Sequence, residues 1–545
     1  MTPRRQRVGV LDLLADAPPN GWDRVYASQF RRQFVSIPPQ AVAVWSRQLG
    51  HQVWYATYYG QKAPTDLLPG DLDVVFIGAY TKASALAYAL AKLFRRRGAL
   101  TVLGGPHASA FPTDALRFFD IVVDTCDKAL VDDIVQGRFD PPVQVSSTHP
   151  LTDLPGVEAR LPELLASTLA DRRWSVYNTV PLLASVGCPY ACDFCVDWKN
   201  EYVRLPSDRL AADLAYVARH FPRVLVTYHD PNFGVQFDKT LDAIESVPAA
   251  DRNPYVMESS LSILKPSRLE RLRQTRCAYV AAGVESWADY SNKTASGGRS
   301  GWDKLEQVTE HFQQLRGYIA GFQANFVFGT DADRGCEPLE LTKEFVRRVP
   351  FAWPGVNIPT PFGGTPFFDR LWAEGRVLRT MPFAFYYDPY LTFIPAHYTP
   401  IEYYDLLIDL FSLVTSREMW IKRLTAGTHW LVKFIHGVQA LGMRHELGQL
   451  KCIRATLAES SELRAFHDGR SDALPEFYHQ RFERMLGPYA ELLSRSDRTP
   501  LHGEPSSAAA PASVGQAFTC ERITLNAKIA KRAKHLFRKD SSLRS

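Results

Sequence analysis

The sequence predicts an α/β protein with two parallel-sheet modules followed by a mainly helical C-terminal region. Three observations carry this. Up to about residue 135, short apolar runs alternate with helical patterns. A second series of strand and helix patterns runs from about 176 to 370. Beyond it, segments such as YYDLLIDLFSLV (403–414) place apolar residues at helical spacing.

In the first module, VGVLDLL (Val8–Leu14) reads as a buried strand. Pro39 opens a helix to about Leu49, stopped at Gly50, and HQVWYATYY gives the second strand. LDVVFIGAY (Leu72–Tyr80) is continuously apolar, as a central parallel strand covered on both faces must be. A helix from Ser84 to Arg96 ends at Gly98. ALTVLGG (Ala99–Gly105) and DIVVD (Asp120–Asp124) supply the fourth and fifth strands, and a helix at Lys128–Val135 closes the module. Strands alternating with helices make a doubly wound sheet, whose ligands bind at the carboxyl ends of its strands. One such end carries Gly104-Gly105-Pro106-His107, where two glycines let backbone approach a flat ligand.

The breaks DPPVQ, THP and LPG mark 137–175 as a linker. The second module then offers strands at Pro181–Val186, Val224–Asp230, Pro254–Glu258, Cys277–Ser286, Gly321–Gly329 and Val356–Phe362. Residues 371–500 read as helical, with Trp420 and Trp430 as packing residues. Residues 501–545 read as a flexible linker and a basic tail.

The apolar share of 46% and charged share of 22% are those of a globular protein. The net charge of +5 belongs to the last 45 residues, so residues 1–500 sum to zero and no nucleic-acid partner is expected. The N-terminal apolar run is short and holds Asp12 and Asp16, unlike a signal peptide, and no stretch suits a membrane span. Eight cysteines in so long a chain, five of them scattered singly, argue for free thiols in a cytoplasmic setting.

Three of the eight cluster. Cys188, Cys192 and Cys195 stand in SVGCPYACDFCVDW with no fourth cysteine nearby. Three thiolates can hold three irons of a [4Fe–4S] cluster and leave the fourth free to bind a small molecule. The alternative is zinc in a binding or regulatory protein, but zinc sites usually pair two half-sites and no second half lies nearby.

The spacing Cys-x-x-x-Cys-x-x-Cys, with Phe194 before the third cysteine, resembles the signature of the radical S-adenosylmethionine (SAM) enzymes. A preceding Rossmann-like module with GGPHAS, and with Thr81 and Ser84 in the turn after its middle strand, resembles the cobalamin-dependent class of that family. The resemblance implies a partial (βα)6 TIM barrel at 176–370 and a cobalamin-binding-type domain at 1–136. It implies Cys188, Cys192 and Cys195 as iron ligands. Phe194, Asp230, Asn232, Glu285 and Gly329 become candidates toward SAM, and Thr81, Ser84, Gly104, Gly105, Pro106 and His107 candidates toward cobalamin. One departure is visible: residues 15–50 contain no histidine, so the lower-face cobalt ligand of many cobalamin domains is missing.

By resemblance, the activity is a C-methyltransferase. One SAM methylates cobalamin, and a second is cleaved to a 5′-deoxyadenosyl radical that abstracts hydrogen from an unactivated carbon. Cyclisation or rearrangement without methyl transfer is the alternative. The implied partners are a small-molecule, peptide or lipid substrate and an electron donor such as a flavodoxin or ferredoxin. His229 is a candidate proton carrier, and Tyr386, Tyr387 and Tyr390 candidate pocket walls.

Overall fold

The computed structural model describes residues 5–16, 34–148, 153–170, 178–288, 294 and 297–503. The expected linker and basic tail lie outside the described residues from 504 onward.

Six strands build the first sheet: β1 (Arg7–Leu13), β2 (Gln52–Tyr58), β3 (Val74–Ala79), β4 (Leu100–Gly104), β5 (Ile121–Val123) and β6 (Val143–Val145). They pair in parallel in the order β2-β1-β3-β4-β5-β6. The order reverses direction between β1 and β3, which opens a crevice at their carboxyl ends. Successive residues serve opposite faces. Val8, Val10, Val74 and Phe76 meet the helices Ile37–Gln48 and Lys128–Val135 in one core. Leu11, Leu13, Val75 and Ile77 face the helix Ser84–Arg96 in another, which continues unbroken into the rest of the molecule.

β6 falls inside the stretch read as linker. Three residues between Pro142 and Ser146 give too little pattern to mark a strand, and it forms because β5 leaves an open edge. The buried Arg160 guanidinium then fastens the connection. Nη1 donates to Gln40 Oε1 (2.8 Å) in the first module and Nη2 to the Pro181 carbonyl (3.1 Å) in the second.

The second sheet consists of β7 (Thr179–Leu182), β10 (Leu225–Tyr228), β11 (Tyr255–Ser260), β12 (Cys277–Glu285), β13 (Gly321–Val327) and β14 (Ala352–Asn357). They pair in parallel in chain order and the end strands do not meet, which is the connectivity of an open (βα)6 barrel. Two short strands, β8 (Ser185–Val186) and β9 (Val203–Arg204), pair antiparallel outside it. The predicted run Pro181–Val186 is therefore split between β7 and β8. The sixth strand begins earlier than Val356, because an edge strand tolerates Pro354. A Cβ on Gly355 would stand 2.7 Å from the Asn325 side chain of β13, so glycine belongs to that strand.

The C-terminal region is helical. The helix Trp430–Glu459 runs along β13: Val432 lies near Gly321 at its start, and Gln439 donates to Gln323 (3.2 Å). Among the described residues no helix is long and apolar enough to cross a membrane.

Candidate functional site

The three cysteines lie on a loop whose base is closed by β8 and β9. Gly187 turns into it with φ +67°, and a Cβ there would come within 2.2 Å of the Glu201 carbonyl, so only glycine fits. Cys188 N–H donates to the Asn200 carbonyl (3.3 Å) and Cys195 N–H to the Cys192 carbonyl (3.0 Å). Cys188 and Cys192 are buried and Cys195 is half-buried, and the described cysteines form no disulfide. The Asn232 amide points at Cys188 Sγ (3.8 Å), a weak donor to a sulfur of the kind that stabilises thiolate charge. Its Oδ1 accepts from Ser260 N–H (2.9 Å), which fixes the amide's orientation at the carboxyl ends of β10 and β11. Among the described residues no three His, Cys, Asp or Glu side chains close around a single ion. Zinc would need its thiolates gathered at about 2.3 Å from one ion, whereas a cluster places its three on separate irons.

Asp230 is buried at the carboxyl end of β10 and braces the cysteine loop. Oδ2 accepts from Ala184 N–H (3.0 Å) and Oδ1 from Ser185 Oγ (2.5 Å). Burial pushes its carboxyl up to about 6. Both oxygens bond to the chain entering the cysteine loop, so Asp230 positions that loop.

A second buttress comes from the loop after β14. Trp198 Nε1 donates to the Gly364 carbonyl (2.8 Å), and Phe367 N–H to the Asp193 carbonyl (3.0 Å). Arg370 pairs with Asp193 (3.0 Å) and Asp331 (3.2 Å), and Arg376 with Asp331 (2.7 Å). Against the desolvation of its half-buried place, Arg376 and Arg370 hold the Asp331 carboxyl below its ordinary range. Trp198, Asp193, Arg370 and Arg376 escaped the sequence reading, since ion pairs between distant segments leave no local pattern. Phe194 packs partly buried against the main core.

Glu285 ends β12 with φ +63°, at a register shift between β12 and β13. A buried non-glycine residue in the left-handed region is strained, and such residues concentrate at functional sites. The next turn is stiffened by Lys304, fully buried, whose ammonium donates to the carbonyls of Ser286 (2.5 Å) and Ala288 (3.0 Å). Gly329 N–H donates to Asp333 Oδ2 (3.0 Å), and a Cβ on Gly329 would meet the Tyr403 ring at 2.5 Å. This glycine is accounted for by packing.

Small and polar residues on alternate positions of β12–β14, including Ala281, Gly283, Gln323, Asn325 and Gly355, are only partly buried. They form a polar face among otherwise apolar strands. Beyond the strand ends, Asp388 accepts from Ile358 N–H (2.8 Å), and burial pushes its carboxyl up to about 6. Burial, with the charge of Asp388 behind it, pushes the Glu446 carboxyl up to about 8. Burial, with Arg160 nearby, lowers His229 to about 4, so its imidazole is neutral at pH 7. Tyr386 is buried against Phe111 and Phe383, and Tyr390 accepts from Arg481 (3.0 Å).

In the first module, Thr81 is buried and its hydroxyl has no partner among the described residues; Ser84 is buried beside it. Gly105 takes φ +93°, and a Cβ there would press on Ala79 backbone at 3.0 Å. A Cβ on Gly104 would meet nothing, so that glycine faces open space, with Pro106 exposed beside it. An orphaned hydroxyl and a bare backbone at the carboxyl ends of β3 and β4 suit a broad polar-edged ligand such as cobalamin. The His107 side chain does not join them. It is fully buried, its Nε2 is 2.6 Å from Tyr88 Oη, and Tyr88 donates on to Asp114 (2.7 Å). Burial lowers it to about 3, so the imidazole is neutral at pH 7.

The two modules meet at backbone level. A Cβ on Gly363 would lie 2.0 Å from the Ala110 carbonyl, which follows the Gly104–Gly105 turn. The charges of Asp12 on β1 and Glu258 on β11 both reach Tyr80 at the end of β3. The carboxyl ends of the two sheets therefore face each other.

Residues 182–320 match the family model of the radical SAM superfamily. The chain thus contains a radical SAM domain, and the matched segment begins at the end of β7 and includes all three loop cysteines. Bacteriochlorophyllide d C-8(2)-methyltransferase of Chlorobaculum tepidum is 24% identical over 375 residues, 65% of this chain and 80% of that one. Hopanoid C-2 methylase of Rhodopseudomonas palustris is 24% identical over 204 residues, 36% of this chain and 38% of that one. Among solved structures, the cobalamin-dependent SAM radical enzyme OxsB with aqua-cobalamin bound has a TM-score of 0.50 at 12% identity. That match covers 88% of this chain and 84% of OxsB, and it supports the order of modules: doubly wound sheet, open barrel, helical region.

Proposed function

We propose that this protein is a cobalamin-dependent radical SAM C-methyltransferase acting on an unactivated carbon. The observation that carries the proposal is the apposition of the two sheets. The cysteine loop lies at the carboxyl ends of one, the Thr81 and Gly104–Gly105 turns at those of the other, and Gly363 against Ala110 holds them in contact. A radical cannot travel, so a methyl donor must share the cavity in which hydrogen is abstracted. When bound, the cluster with SAM supplies the 5′-deoxyadenosyl radical and cobalamin the methyl group.

Cys188, Cys192 and Cys195 would hold the cluster, with Asn232 donating toward Cys188 Sγ. Asp230, Trp198 and Arg370 keep the loop in place. Glu285, buried and strained at the end of β12, would accept hydrogen bonds from SAM. Thr81, Ser84, Gly104, Gly105 and Pro106 would line the cobalamin cleft. The relatives named for bacteriochlorophyllide and hopanoid methylation favour an apolar polycyclic small molecule or lipid as substrate. A flavodoxin or ferredoxin would supply the electron, and a reducing cytoplasm suits the free thiols.

The test is anaerobic reconstitution with iron, sulfide and cobalamin, followed by absorbance spectroscopy and incubation with methyl-labelled SAM. Label in a product carbon together with deoxyadenosine supports the proposal. Deoxyadenosine without label would indicate a cyclase or rearrangement. A protein that takes up zinc and no iron or sulfide would refute it.

A further inference from the structure

Six large apolar side chains gather on the outer surface of two consecutive helices. Trp420, Ile421 and Leu424 stand on the helix Arg417–Thr425, exposed by 49%, 58% and 39%. Trp430, Phe434 and Leu441 stand on Trp430–Glu459, exposed by 66%, 44% and 65%. The latter three fall within about 40° of one another on a helix of 3.6 residues per turn. The same helix buries Val432, Ala440, Met443 and Leu450 on its opposite side. It thus carries two apolar faces, and among the described residues only the inner one has a partner. Exposed apolar patches of this kind mark interaction surfaces.

The charge around the patch selects the partner. Residues 417–445 hold four surface Lys/Arg (Arg417, Lys422, Lys433 and Arg444) and a single acid, Glu418, for a net +3, while Arg423 is buried with its guanidinium on the Val414 carbonyl. A second copy docked by the same face would bring +3 against +3. The chain beyond residue 503 is no better a cover, because it holds eight Lys/Arg against three Asp/Glu. What complements tryptophan, phenylalanine and leucine flanked by cations is an anionic bilayer surface. There, indole rings settle at the headgroup level and lysines meet lipid phosphates.

We propose that the 417–441 surface docks this protein on an anionic membrane, lying in the interface without crossing it. The site is built at the amino end of β13, where Val432 lies near Gly321, while the cysteine loop belongs to the opposite, carboxyl ends. Docking therefore leaves the chemistry untouched, and it does not depend on the proposed reaction.

The experiment is flotation of the full chain with vesicles of phosphatidylcholine alone and of phosphatidylcholine mixed with phosphatidylglycerol. The expected result is binding to the mixed vesicles, weakened by salt. The variant Trp420→Ser/Trp430→Ser/Phe434→Ser/Leu441→Ser should bind about tenfold more weakly or worse while keeping its SAM-cleavage rate. If that variant fails to fold, Lys422→Glu/Lys433→Glu tests the charge alone and should reduce binding to the mixed vesicles. Three outcomes overturn the proposal: no binding by the wild-type chain, undiminished binding by the variants, or a wild-type oligomer that the apolar variant dissolves in the absence of vesicle binding.

Discussion

The indole of Trp198 donates to the carbonyl of Gly364 at 2.8 Å, across 166 residues of sequence. It ties the end of the cysteine loop to the loop that follows the last barrel strand. Trp198→Phe removes this bond and leaves the ring. The expected loss is about 0.5–1.5 kcal/mol of local stability. Reconstituted variant should release iron to a chelator several-fold faster at an unchanged melting temperature. Equal release rates would show that the bond does not hold the loop.

Removing one thiol is more severe. Cys192→Ala should yield a folded protein with wild-type circular dichroism, no iron–sulfide absorbance and no deoxyadenosine formation. Persistent SAM cleavage in this variant would be incompatible with a cluster held by Cys188, Cys192 and Cys195.

At Glu285 the backbone and the side chain make opposed demands. Because φ is +63°, Glu285→Gly should be more stable than Glu285→Ala by about 1 kcal/mol, since only glycine takes that conformation without strain. Both should lose SAM affinity. Comparison of melting temperatures and of SAM binding for the pair separates strain from ligand contact. Unchanged SAM binding in both would remove Glu285 from the proposed site.

The contact between modules gives a test of coupling. Gly363→Ala would place a methyl group 2.0 Å from the Ala110 carbonyl and force the two modules apart. Deoxyadenosine should still form, because the cluster loop is intact, while methylated product falls by about tenfold or more. Loss of both activities in step would mean that the contact supports the barrel itself.

Asp12 supplies a pH dependence. It is buried at the carboxyl end of β1, where Ser36 N–H donates to Oδ2 (2.8 Å), and burial pushes its carboxyl up to about 7. The folded state thus holds this proton more tightly than the unfolded state does. The stability it contributes is complete below pH about 4 and is lost as the pH rises through 7, a change on the order of 4 kcal/mol. Asp12→Asn should flatten the fall in melting temperature between pH 5 and pH 8. Parallel curves for wild type and variant would contradict the assignment.

Much of this architecture is legible in local pattern. Leu72–Tyr80 is apolar without interruption because β3 is covered on both faces, and Cys188, Cys192 and Cys195 announce themselves because their spacing lies within eight residues. β6 and the start of β14 were not legible, since three residues, or a strand containing Pro354, become sheet only when a neighbouring edge offers hydrogen bonds. The partners of Asp230 and His107 are not legible for the same reason. A sequence shows a carboxylate after a strand or an imidazole after two glycines. It does not show that Asp230 reaches back to Ala184 and Ser185, or that His107 turns inward to Tyr88.

The sequence by itself determined the three-cysteine loop and the run of strands and helices, because periodicity and spacing act over a few residues. Only the tertiary structure decided which side chains face the cleft and which are consumed in holding it, that Gly363 joins two sheets at their carboxyl ends, and that a helix shows tryptophan to solvent. Those outcomes depend on which distant segments compete for the same donors, acceptors and space.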